Sequence, residues 1–188
     1  MVKMKEIKAN SRLNIDGTLV GDTKQGETLV KDISSFLMDS NISDSEASKV
    51  AYGVRVSKNA VSEGQQGGLF FGVSTLNAGS INNEYYFTRG HYHEKLDTGE
   101  YYWGISGEGL LLLHYPDDTE TITRVSPGSV LYIPGKVAHR LINIGKSKLA
   151  VGAVWQSISG HAYSQTNLFR MHILVDDIKD YRVIEEEK

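Results

Sequence analysis

The sequence predicts an all-β fold, a sandwich or barrel of short strands. Three observations carry the prediction. From residue 50 onward apolar side chains recur at period two, as in Val50, Tyr52, Val54 and Val56, which is the spacing of a half-buried strand. Short strand-like runs then follow one another closely, with turn residues between them. Nineteen glycines, ten tyrosines and only three prolines suit pleated segments joined by tight turns. No internal repeat or low-complexity linker is visible.

Residues 1–27 are polar and carry one hairpin signal. Leu13 and Ile15 alternate before Asp16-Gly17, and Leu19 and Val20 follow. Residues 27–39 predict a helix, because Leu29, Val30, Ile33, Phe36 and Leu37 fall at helical spacing; its place is the outside of a barrel. Residues 41–48 are polar and suit a loop or a short helical turn. After the strand at 50–56, residues 59–68 form a Gly/Ser/Gln loop, 69–76 a strand and 77–83 a turn. Residues 100–105 and 109–115 predict a hairpin around Ser106-Gly107-Glu108. The run Leu110, Leu111, Leu112, Leu113 lacks alternation, which predicts a strand covered on both faces by a second sheet or by a partner subunit. Asp117-Asp118 is a turn, residues 121–125, 129–133, 138–143 and 149–155 are further strands, and Pro127-Gly128 punctuates one connection. Residues 169–175 make a late strand. The tail Glu185, Glu186, Glu187, Lys188 is charged and expected to fray.

At 188 residues the chain suits one domain with an N-terminal arm. A net charge of −3 gives no basic field to recruit nucleic acid or an anionic membrane. With no cysteine there is neither a disulfide nor a thiolate metal site, which fits a reducing compartment. Residues 1–6 lack the apolar core of a signal peptide, and the longest apolar stretch is too short to span a bilayer. A cytoplasmic protein is expected.

The stretch Gly90-His91-Tyr92-His93 sets two histidines two residues apart, so one face of a short strand would present both. Glu100 follows six residues later, room for a turn and a new strand. His139 lies in the separate block Pro134-Gly135-Lys136-Val137-Ala138-His139. Three imidazoles and one carboxylate make an N/O ligand set that suits Fe(II), Mn, Ni, Cu or Zn. His114 and His172, in strands without evident partners, read as structural, and Trp103 as packing.

These residues resemble the two sequence blocks of a cupin. The first runs Gly90-His91-x-His93, Glu100, Gly107; the second runs Gly128, Pro134, His139, Asn143. The interval from His93 to Glu100 is longer than is usual in cupins, and Lys136 stands where a glycine is usual. The string Thr88-Arg89-Gly90-His91-Tyr92-His93, Lys95-Leu96-Asp97, Glu100, Tyr102 is similar to that of the cupin-type, or archaeal-type, phosphoglucose isomerases. Gly160-His161-Ala162-Tyr163 fits the same family's G-H-x-Y. The resemblance covers roughly residues 50 to 175.

What the resemblance implies is concrete. The fold would be a cupin double-stranded β-helix, a jelly-roll barrel, over residues 50–175. An N-terminal arm and helix at 1–49 would pack on it, and 176–188 would be a tail. The reaction would be metal-dependent interconversion of D-glucose 6-phosphate and D-fructose 6-phosphate, a step of glycolysis and gluconeogenesis, in a homodimer with one divalent metal per subunit. Fe(II) comes first as the metal, with Mn, Ni or Zn as alternatives. His91, His93, Glu100 and His139 would hold it. Thr88, Arg89 and Gly90 would receive the phosphate, with Tyr52 and Thr75 by approximate register. Tyr102, two after Glu100, would meet a sugar hydroxyl or buttress Glu100. His161 would assist ring opening or proton transfer beside Tyr163, and Trp155 stands where a tyrosine is expected. Asn143 would support a turn or His139.

Moving hydrogen between C1 and C2 leaves two routes open. Either a base, with Glu100 the obvious carboxylate, removes the C2 proton to give an enediol, or hydride moves directly. Two other readings of the same ligand set are an Fe(II) dioxygenase and a non-catalytic sugar-phosphate-binding cupin.

Overall fold

The computed structural model describes residues 3–186. Its strands are β1 (Ser11–Leu13), β2 (Leu19–Gly21), β3 (Thr23–Leu29), β4 (Val50–Ser57), β5 (Leu69–Leu76), β6 (Ser80–Ile81), β7 (Glu84–Tyr85), β8 (Glu100–Ser106), β9 (Gly109–His114), β10 (Glu120–Val125), β11 (Val130–Ile133), β12 (Ala138–Asn143), β13 (Leu149–Gln156), β14 (Met171–Val175) and β15 (Tyr181–Glu185). All pairings are antiparallel. A six-stranded sheet runs β11-β8-β13-β5-β4-β3 and faces a three-stranded sheet β10-β9-β12. A four-stranded sheet β15-β14-β7-β6 and the hairpin β1-β2 complete the chain. This is the expected jelly-roll barrel of cupin type.

The Leu110 to Leu113 run explains how the layers hold together. All four leucines are buried, alternately in two clusters. Leu111 and Leu113 face the barrel interior with Val125, Ile133, Leu149 and Val151. Leu110 and Leu112 face outward onto Val30, Ile33, Phe36, Phe169 and Ile173. Burying each leucine contributes roughly 2 kcal/mol. Both faces are therefore covered by this chain itself, by its N-terminal segment and its β14 region, so the run does not call for a partner subunit.

Several elements differ from expectation. The helix expected at 27–39 is absent: β3 continues to Leu29, and Val30–Asp32 and Ser34–Phe36 are single 3-10 turns. Val30, Ile33, Phe36 and Leu37 are buried together as the spacing required. The backbone, however, is extended at Leu29 (ψ 161°) and at Leu37 (ψ 150°), so helical bonding runs through neither. The Val30 N–H donates to the Lys49 carbonyl, and Asn167 Nδ2 donates to the Phe36 carbonyl. Among the described residues the one α-helix, α1 (Asp44–Ala47), is a single turn started by a Ser43/Glu46 capping box. The strand β3 pairs with β4 and so belongs to the large sheet, although it precedes residue 50. It is an exposed edge strand without apolar alternation, and so left no sequence signal.

Residues 106–108 do not close a hairpin. The strand β8 pairs with β11 and β13 while β9 pairs with β10 and β12, so the chain changes sheets at Gly107. Gly107 sits at φ +81°, and a Cβ there would fall 2.4 Å from the Lys148 carbonyl oxygen. A glycine turn looks the same in sequence whether it folds a strand back or hands it across. Residues 77–83 contain a two-residue hairpin, β6 to β7, with Asn82 and Asn83 both at positive φ. The tail is paired as far as Glu185: β15 lies along β14, and the Glu186 N–H donates to the Arg170 carbonyl. Of the expected fraying tail, residues 187–188 lie outside the described residues. Among the described residues no helix is long and apolar enough to cross a membrane.

Candidate active site

His91 and His93 do not share a regular strand. Residues 88–93 make isolated bridges instead, with His91 opposite His139 and Tyr92 opposite Ala162. The first bridge is what assembles the site. The His91 N–H donates to the His139 carbonyl and the His139 N–H to the His91 carbonyl, which sets the two rings 4.4 Å apart by centroid. The His93 ring comes within 5.4 Å of the His139 ring. One ligand atom from each of the three histidines lies within 4.8 Å of the others. Glu100, at the start of β8, brings Oε1 to 2.8 Å from His139 Nε2 and Oε2 to 3.8 Å from His93 Nε2.

The Nε2 atoms of His91, His93 and His139 and Glu100 Oε1 are all buried, and none makes a hydrogen bond. The Glu100–His139 pair is close but not aligned for one. Four polar atoms left unsatisfied at one point would cost several kcal/mol together, and a divalent cation satisfies all four at once. The tautomers agree. His93 Nδ1 donates to the Thr98 carbonyl (2.9 Å) and lies 3.1 Å from Thr98 Oγ1, whose own proton goes to the Lys95 carbonyl. The proton is thus on Nδ1 and the Nε2 lone pair is free for a metal. The donor set is N/O with no sulfur, as such sites require.

Burial pulls the His91 pKa well below its ordinary value, and His139 and His161 add to the fall. Burial lowers His93 too, but the nearby Glu100 carboxylate and the Thr98 carbonyl outweigh that and leave it raised. For Glu100 burial pushes upward, yet the adjoining His139 and His93 prevail and hold the carboxyl far below the carboxylate range. Glu100 is therefore ionised, the form in which a carboxylate can hold a cation. Tyr102 is pushed well above 10 by burial and then by Glu100. It keeps its phenolic proton and can donate it.

Beside this cluster opens a cavity of about 240 Å³, lined among others by Tyr52, Ser74, Thr88, Gly90, Tyr102, Trp155, His161 and Tyr163. Gly90 has φ +76°, and a Cβ there would fall 2.5 Å from Phe169 Cε2, so the backbone turns here only with glycine. Thr88 Oγ1 accepts from the Leu141 N–H (3.0 Å), which leaves its proton for another acceptor. His161 and Tyr163 stack on one another with rings 5.9 Å apart and 10° from parallel, at the exposed rim. Their rings lie 4.6 Å and 5.3 Å from that of His91. A larger cavity of about 460 Å³, on the outer face of the six-stranded sheet under the β1-β2 turn, contains none of the ligand atoms.

Two expected substrate residues are elsewhere. Thr75 lines that outer cavity, and Ser74 takes its place in the inner one. Tyr52, Val54 and Val56 share the inner face of β4, and Val54 is opposite Ser74 while Thr75 is opposite Gly53. Only the β4–β5 register reveals this; a shift of one residue exchanges the faces. Arg89, between Thr88 and Gly90, turns away from the cavity, donates to the Ser164 carbonyl (2.6 Å) and lies over the Phe36 and Tyr163 rings. Val54, Gly72 and Ala153 form an apolar wall that carried no site signal in sequence, and Trp155, where a tyrosine was expected, completes it. Trp155 needs Gly72, because a Cβ there would fall 2.9 Å from the indole Cη2.

The residues read as structural are so. His172 Nδ1 pairs with Glu84 Oε1 (2.8 Å), and His114 Nδ1 with Glu120 Oε1 (3.0 Å). Asn143 supports the following turn, accepting from the Gly145 N–H and donating to the Ser147 carbonyl, and ties it to the Leu76 carbonyl. Trp103 packs over Gly152 and against Phe71.

Comparison with known proteins now bears on this site. The glucose-6-phosphate isomerase of Thermococcus litoralis is 28% identical over 155 residues, 81% of this chain and 80% of that protein. That of Thermococcus kodakarensis is 37% identical over 101 residues, 54% of this chain and 53% of that protein. The latter match therefore spans about half of the relative's length. Among solved structures, oxalate decarboxylase from Bacillus subtilis covers 60% of this chain and 27% of its own at 19% identity and a TM-score of 0.44. So slight a likeness leaves the fold to rest on the strand order. The family model described as glucose-6-phosphate isomerase (GPI) matches residues 25–177, and the chain belongs to that family.

Proposed function

We propose that this chain interconverts D-glucose 6-phosphate and D-fructose 6-phosphate at the cluster of His91, His93, Glu100 and His139, with the cavity beside it taking the sugar. The observation that carries the reading is the convergence of four buried, unpartnered donor atoms at the wall of that cavity. Family membership supplies the reaction class, an aldose–ketose isomerisation. A divalent ion held by the four residues, Fe(II) first and Mn, Ni or Zn as alternatives, supplies Lewis-acid polarisation of a sugar oxygen.

The chain's own groups do the rest. Tyr52, Ser74 and Thr88 offer hydroxyls for the phosphate, and Gly90 lets the backbone approach it. Tyr102 donates its retained proton to a sugar oxygen or to Glu100. His161 has its pKa lowered by burial. It is therefore a neutral imidazole near pH 7, able to take a proton from one sugar oxygen and return it to another during ring opening. Glu100 is the carboxylate nearest the reacting carbons. Its neighbours favour the ionised form, the one able to accept a proton, while weakening it as a base.

The test is a coupled assay with fructose 6-phosphate, reading glucose 6-phosphate through its dehydrogenase. Chelated protein and protein reloaded separately with Fe(II), Mn, Ni and Zn are compared. Turnover abolished by chelation and restored by metal is the expected result. Retained metal without turnover would overturn the isomerase, and oxygen uptake would point to a dioxygenase.

The exposed aromatic patch of Tyr101, Val130 and Tyr132, with tyrosine rings 5.2 Å apart, supports a homodimer. Sedimentation as a monomer at micromolar concentration would contradict it. Membership of the glucose-6-phosphate isomerase family supports a cytoplasmic place, in glycolysis or gluconeogenesis.

A further inference from the structure

We propose that Arg89 is a positioning residue: it holds the strap of residues 158–168 so that His161 and Tyr163 stand over the metal-ligand cluster. Its catalytic consequence rests on the isomerase reading; its structural consequence does not.

The strap has no strand or helix of its own. Near its start, the Ser159 carbonyl accepts from the Lys95 N–H (3.0 Å), and the Ala162 N–H donates to the Tyr92 carbonyl (2.8 Å). Beyond that bridge the chain is tied by two arginines and by Asn167 Nδ2, which donates to the Phe36 carbonyl. Arg89 Nη2 donates to the Ser164 carbonyl at 2.6 Å, and Arg140 Nη2 donates to Asn167 Oδ1 at 3.0 Å. The two arginines are themselves joined, because the same Arg140 nitrogen also donates to the Arg89 carbonyl. Arg140 lies between the Phe87 and Phe169 rings, 4.3 and 4.5 Å from their centroids.

The Arg89 guanidinium is 5.2 Å from the centroid of Tyr163 and 5.2 Å from that of Phe36. Phe36 is buried in the core, so it is the fixed wall. Tyr163 is half exposed, at 51%, so it is the movable one. Tyr163 and His161 are nearly parallel, 10° apart, and both rings lie against that of His91, at 5.3 and 4.6 Å. Contacts therefore run from the core phenylalanine through the guanidinium to Tyr163, and from there to the His161–His91 pair. A planar cation that stacks on a ring and also directs an N–H at a carbonyl is something lysine cannot reproduce. Thr88 and Gly90 line the cavity, whereas the Arg89 side chain between them goes to the strap.

The experiment uses the metal-loaded full chain and the variants Arg89→Met, Arg89→Lys and Tyr163→Leu, with the double variant Arg89→Met/Tyr163→Leu. Two quantities are read: hydrogen exchange of the Ala162 amide, and kcat and KM for fructose 6-phosphate. In Arg89→Met the amide should exchange roughly tenfold faster, the scale of one lost charge-assisted hydrogen bond. The kcat should fall by a similar factor, with metal content and KM little changed. Arg89→Lys should not rescue either quantity, and the loss in the Tyr163→Leu background should be smaller than in the wild type. If Arg89→Met does not fold, Arg89→Lys keeps the stem and the charge and is read on the same two quantities. Unaltered exchange at Ala162 would overturn the proposal. So would a lysine variant that restores activity while the methionine variant loses only KM, since that is the behaviour of a point charge for phosphate. Wild-type protein that turns over nothing with any metal, but shows the exchange change, would sink the isomerase and leave the positioning role standing.

Discussion

Two buried imidazole–carboxylate clusters sit in this fold, and they differ in how their polar atoms are used. Beside β14, Glu84 has both oxygens engaged: Oε1 with His172 Nδ1 and Oε2 with the Met38 N–H, each at 2.8 Å. His172 Nε2 makes no hydrogen bond but faces Glu186 Oε2 at 3.6 Å. One imidazole here has two carboxylates. At the other cluster three imidazoles share one carboxylate, and four atoms lack partners. The first arrangement leaves one nitrogen without a hydrogen bond, beside a second carboxylate, and ties three segments of the chain together. The second leaves four such atoms at one point, a set that a cation would satisfy together. A buried histidine next to a glutamate is thus uninformative by itself; the count of donors against acceptors decides.

The largest expected effect separates the two clusters directly. His93→Ala should lose stoichiometric metal and at least about a hundredfold in isomerase activity, since even groups that only orient a ligand cost ten- to a hundredfold. Full metal content by elemental analysis in this variant would remove His93 from the ligand set. His172→Leu should do the opposite. It leaves the buried Glu84 charge unpaired, which costs about 3 kcal/mol in urea unfolding, while bound metal stays at one per chain. Metal loss in His172→Leu with stability intact would invert the comparison.

The pH dependence of that stability sharpens it further. Burial pulls the His172 pKa down, but Glu84 and then Glu186 outweigh it and leave it raised above the ordinary 6.5. A raised folded value means that the pair's stabilisation is whole below about pH 6.5, the unfolded value, and is lost as pH climbs through the folded one. The gap in unfolding free energy between wild type and His172→Leu should therefore narrow as pH rises above neutrality. Taking the difference between the two proteins cancels titration at the other histidines. A gap that widened with pH would mean that His172 is neutral in the fold.

That His91, His93, Glu100 and His139 come together was legible in sequence, because metal chemistry limits residue type and spacing and the four could be named before any fold was known. The barrel was legible because alternation along β4 and the unbroken Leu110 to Leu113 run report burial faithfully. What burial does not report is which partner supplies it. The leucines are covered by this chain's own 3-10 turns and β14, and nothing local distinguishes those from a second subunit. The apolar spacing at Leu29 to Leu37 likewise reported a buried face but not the backbone that presents it. Gly107 marked a turn without saying that it joins two sheets. Arg89 was drawn toward the phosphate by its neighbours, Thr88 and Gly90, whereas its side chain goes to the Ser164 carbonyl, a contact no local pattern encodes.

The smallest expected effect applies the same contrast within one strand. Ser74 and Thr75 are adjacent hydroxyls on β5, one facing the inner cavity and one the outer. If the phosphate is received by Tyr52, Ser74 and Thr88, then Ser74→Ala removes one donor among several. The KM for fructose 6-phosphate should rise roughly fivefold with kcat nearly constant, the scale of one hydrogen bond in an otherwise intact site. Thr75→Val keeps the β-branched shape and should leave both constants within about twofold, because no atom of Thr75 reaches the inner cavity. The pair tests register rather than chemistry. Equal effects from both variants would mean that the outer cavity communicates with the site. A larger effect from Thr75→Val would mean that β5 is displaced by one residue against β4, which would turn every side chain of that strand to the opposite face and take Gly72 away from beneath Trp155.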